Sequence, residues 1–113
     1  MKQSFTQFQR DLSASLTRIA DITLRQDPGE ALKLYRQGLE IARRLFDAEP
    51  QNTVFQRELS VRLITVSTVS NGSERNIALQ EVLEISLRLE KAGQLTADQS
   101  AWPDFLQQEL AKK

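Results

Sequence analysis

From Thr6 onward the apolar residues fall at Phe8, Leu12, Leu16, Ile19 and Ile22, in steps of four, four, three and three. Those steps keep one stripe on an α-helix. From Thr53 the pattern starts again with Phe55, Leu59, Leu63, Val66 and Val69, in the same steps. The two stripes lie forty-seven positions apart. So do the hexapeptides Phe8-Gln9-Arg10-Asp11-Leu12-Ser13 and Phe55-Gln56-Arg57-Glu58-Leu59-Ser60, which differ only in Asp11 for Glu58. A period of this size marks a repeat architecture, whose units stack to bury a shared core. The spacing therefore predicts a copied helix with a copied buried face. Ser100, Trp102 and Leu106 follow Thr53, Phe55 and Leu59 by the same interval.

The helix ends are also marked. Thr6 with Gln9, and Thr53 with Gln56, have the spacing of a capping box, in which hydroxyl and amide side chains satisfy free backbone N–H groups. Ser100 is the third cap in the series, and Pro103 falls in the first turn, where a missing N–H costs little. Between these helices lie their partners. Asp27-Pro28-Gly29-Glu30 reads as an N-cap, a proline at the first helical position and a Glu completing the box. The helix that follows carries Ala31, Tyr35, Gly38, Leu39, Ala42, Leu45 and Phe46 on one face, and Pro50 ends it. Asn71-Gly72 is a stop and Ser73 a fresh N-cap for a helix over 74–91, with Ala78, Val82, Ile85 and Leu89 inward. Gly93 stops that helix, and 94–99 is a polar connector. Residues 61–69 are rich in β-branched side chains, but their apolar spacing is helical, so no strand is expected. The reading is an all-α single domain of about five antiparallel helices: repeat 1 over about 6–50, repeat 2 over about 53–93, and a capping helix over about 100–112.

Composition narrows the function. Hydrophobic residues make up 40% of the 113 and charged residues 27%, which suits a folded chain. Fifteen basic residues balance fifteen acidic ones, so nothing favours nucleic acid or an anionic membrane as partner. Without Cys or His there is no thiolate nucleophile, no imidazole base and little to bind zinc or haem. No phosphate-binding glycine loop, apolar leader or membrane span is visible, so the expectation is a cytoplasmic protein, unless the chain is part of something larger. Asp11 and Glu58 recur as a carboxylate pair, and read as solvated acids in first helical turns. The expectation is no enzyme, no cofactor and no metal. Arg10 and Arg57 also recur, and are read as structural ion pairs with Asp11, Glu58 or a neighbouring helix. Arg43 and Arg44 read as a solvated helix face.

Ala31, Tyr35, Gly38 and Leu39, with Pro50 downstream, resemble the second helix of a tetratricopeptide repeat. Ile19-Ala20, ahead of them, resembles the Leu-Gly pair of that family's first helix. The Phe-Gln-Arg-Asp-Leu-Ser and Ala-Glu-Pro-Gln-Asn stretches look like the longer bacterial variant. The resemblance runs from Thr6 to Leu106, although the second copy is worn, with Ser67, Ala78, Val82 and Ile85 at the corresponding places. It implies a helical-hairpin solenoid acting as a scaffold or adaptor, with a protein or peptide in the groove lined by the first helix of each repeat. Thr17, Arg18, Asp21, Arg25, Thr65 and Thr68 are the groove candidates, with Ile64 among them, and Trp102 is expected as a lid on the core. The alternative is self-association through an open end, the first helix with Phe5 and the Ala14 side, as a homo-oligomer or as part of a larger repeat protein.

Overall fold

The computed structural model describes residues 2–112, and their side chains from Phe5 on. Five α-helices follow one another: α1 (Lys2–Thr23), α2 (Pro28–Ala48), α3 (Thr53–Val69), α4 (Gly72–Lys91) and α5 (Trp102–Ala111). A 3-10 turn at Ala97–Gln99 precedes α5, and no strand occurs among the described residues. The chain is all-α, and each helix packs chiefly on the next one in sequence.

Several ends form as their sequence dictates. The Asp27 carboxylate accepts from the Glu30 backbone N–H at 3.0 Å, with Pro28 opening α2. Gly93, at φ +71°, closes α4: its N–H donates to Glu90 O, and the Gln94 N–H donates to Leu89 O at 2.8 Å. That paired closure requires a left-handed residue, which glycine supplies without strain.

Other caps differ from the expectation. α1 begins at Lys2, so Thr6 lies inside a helix that nothing interrupts. Asn52 caps α3 in place of Thr53: its Oδ1 accepts from the N–H groups of Val54 and Phe55 at 3.0 and 3.2 Å. Gln56 reaches instead to the carbonyl of Pro50. α4 opens at Gly72, which puts Ser73 within it. A capping box does form at the 3-10 turn, between Thr96 and Gln99, while Ser100 donates to Ala97 O. At α3 the Asn52 amide, one residue upstream, meets the free N–H groups first, whereas α4 and α5 open with no side-chain cap bond.

The principal core lies among α2–α5. Leu59, Leu63, Val82, Ile85, Leu89 and Leu106 are almost wholly buried, with half-buried Leu39, Phe46 and Trp102 against them. Trp102 thus sits over the core, as expected of a lid. A second cluster joins Ala20 of α1, Ala31 and Tyr35 of α2 and Val66 of α3. Here the small residues matter: a Cβ on Gly38 would meet Ser13 O and Thr17 Oγ1, each at 3.3 Å.

Candidate functional site

The two copies of the repeat are tied by arginines of the first reaching acids of the second. Arg10 of α1 meets Glu58 of α3 at 2.5 Å. Arg36 and Arg43 of α2 each grip a carboxylate of α4 through two nitrogens, Glu74 and Glu81 respectively. Arg43 is therefore half-buried and paired, where the sequence had suggested a solvated face. Its neighbour Arg44 is exposed. The hydrogen bond from Arg36 holds the Glu74 carboxyl below its ordinary range. Each pair is partly exposed, so each contributes at most about 1 kcal/mol. Their common direction is what matters for the site: an acid at the Glu58 position is met by an arginine of the preceding unit.

The groove candidates are spread over different surroundings. Thr17 is half-buried against Gly38, and its hydroxyl donates to Ser13 O at 3.0 Å. The Asp21 carboxylate accepts from the Tyr35 hydroxyl. Burial first, and then that hydrogen bond, push the Tyr35 phenol up to about 12. Thr17 and Asp21 are thus turned to α2. Arg18 and Arg25 are exposed. Thr65 donates to Val61 O and lines an open cleft with Val61, Ile64, Trp102, Phe105 and Leu106. Thr68 is exposed and donates to Thr65 O. The threonine hydroxyls thus already donate to carbonyls of their own helices.

The largest departure from the sequence reading is on α1. Its apolar stripe was expected to be buried like its copy on α3. Instead Phe8 is 61% exposed, Ile19 51% and Ile22 76%, with Phe5 at 65% and Leu12 also exposed. α1 meets α2 through Ser13, Thr17 and Ala20, on the other side of the helix, with Leu24 just beyond its end. The copied residues Phe55, Leu59, Leu63 and Val66 are all buried, because α3 lies between α2 and α4 and also faces α1. Among the described residues nothing stands to α1 as α2 stands to α3. One flank of the open stripe carries exposed Asp11 and Arg18. The repeat makes Asp11 the counterpart of Glu58, and here it accepts from Gln7 of its own helix at 2.8 Å.

No helix among the described residues is long and apolar enough to cross a membrane. Comparison with protein-family models, curated proteins and solved structures gave no match to this chain.

Proposed function

We propose that the chain is a non-enzymatic protein-interaction module, a tetratricopeptide-like stack of helical hairpins that binds a helical protein segment on α1. One observation carries this reading: the same stripe is covered in the second copy and largely open in the first, where Leu16 alone is half-buried. A contiguous exposed apolar patch of this kind marks an interaction surface, and an amphipathic helix laid on it would restore the packing α3 already has. The surface expected from the sequence, around Thr17 to Arg25 and Thr65 to Thr68, has less to support it, since Thr17 and Asp21 are engaged with α2.

A peptide of residues 28–50 is the natural probe, because α2 packs on α3, its Ala42 in one cluster with Leu59 and Leu63, while nothing described stands before α1 in that way. Labelled and titrated with the full chain, it is expected to bind saturably. Phe8→Glu and Ile19→Glu should each weaken it at least about tenfold, or about 1.4 kcal/mol. Neither side chain lies between α1 and α2, so displacement of the resident α2 by the peptide would be insensitive to them. Absence of binding, or equal binding to Phe8→Glu, would remove the reading.

A further inference from the structure

Resting on α1 as an interaction face, we infer that its occupant is a second copy of this chain, packed antiparallel about a two-fold axis at Ser15. The stripe is close to symmetric about that residue. Phe8 and Ile22 each stand seven positions away, which is about two helical turns and so the same face. Leu12 stands three before and Ile19 four after. In a two-fold contact residue i meets j and j meets i, so Phe8 lies over Ile22 and Leu12 over Ile19, each twice.

The charges fit the same register. Asp11 stands four before Ser15 and Arg18 three after, both exposed and both on one flank of the stripe. Antiparallel helices bring like flanks together, so Asp11 of each copy meets Arg18 of the other. A parallel pair brings opposite flanks together, so there Asp11 and Arg18 of one copy would lie across the seam from those of the other, and neither would meet its opposite charge. The molecule holds its own precedent: Glu58, the repeat counterpart of Asp11, takes Arg10 of the neighbouring unit at 2.5 Å. A second copy supplies Asp11 with the arginine its position calls for. It also covers an apolar strip about 25 Å long between Phe5 and Ile22, at roughly 1.5 Å per residue.

The test is sedimentation equilibrium of the full chain. The wild type is expected to be a dimer. Asp11→Arg leaves two cations on the flank and Arg18→Asp two anions, so each alone should self-associate at least about tenfold more weakly than wild type. Mixed in equal amounts, the two variants should form a heterodimer tighter than either homodimer, because every cross-pair is then opposite in sign. These side chains are exposed, and an unchanged helical spectrum confirms that the variants fold. A wild type that stays monomeric at the highest concentration reached overturns the inference, as does a mixture no tighter than its components. A monomer that still binds the 28–50 peptide leaves the interaction face standing and rejects only self-pairing.

Discussion

Ser13 holds three helices at one point. It is buried, donates to the Gly38 carbonyl of α2 at 2.9 Å, and accepts from Arg62 of α3 at 3.0 Å. Burial lowers the pKa of that Arg62 guanidinium, and the nearby carboxylates of Glu58 and Asp21 counter it. The close approach depends on Gly38, since Ser13 O cannot move without moving α1. Gly38→Val should therefore cost about 1–3 kcal/mol by overpacking, read as a lower urea midpoint. Tyr35 offers a second check at this scale. Its pKa of about 12 in the folded chain lies above the ordinary 10, so folding favours the protonated phenol. That contribution is whole below pH 10 and is lost as pH rises through 12. It is the only tyrosine, so its phenolate absorbance should titrate near 12 in the native state and near 10 in urea. Asp21→Asn should bring the native value down. The small-residue places Ala20, Ala31 and Gly38 were legible in sequence. The bonds Ser13–Arg62 and Asp21–Tyr35 were not, because periodicity records faces and not partners.

Helix existence and most boundaries follow from local chemistry. Pro28, Pro50 and Gly93 fall where helices begin, have ended or have just closed, and the inward residues Ala78, Val82, Ile85 and Leu89 of α4 are buried as their spacing required. The caps at Thr6, Thr53 and Ser100 did not form: Thr6 lies within α1, Asn52 takes the donors of α3, and Ser100 belongs to the end of a 3-10 turn capped by Thr96. The larger miss was the buried side of α1. A stripe at helical spacing says that a face is apolar, but it cannot say whether a neighbour covers it. Phe8 and Phe55 make the contrast measurable, being the same residue at the same place in the repeat, 61% and 5% exposed. Phe55→Ala should cost about 3–5 kcal/mol. Phe8→Ala, measured at dilution, should cost under about 1 kcal/mol, as other exposed substitutions do. Equal losses would show that α1 is packed by its stripe after all.

At the scale of the whole molecule, the described residues fill about 40 × 33 × 22 Å, with contacts running from each helix to the next. In such a stack, stability is close to a sum of unit and neighbour terms, and an apolar face that nothing among the described residues covers is a cost unless it is used. The account holds that this face is used, by a second copy centred on Ser15. The chain has no cysteine, so one introduced thiol reports without ambiguity. The most direct measurement is oxidation of Ser15→Cys in the folded chain. In the proposed register the two thiols face each other at the axis, within the separation a disulfide can span. The account predicts rapid, near-complete covalent dimer for Ser15→Cys. It predicts none for Arg25→Cys, whose copies would lie twenty residues, about 30 Å, apart along the pair. Cross-linking of Ser15→Cys no faster than of Arg25→Cys would contradict it.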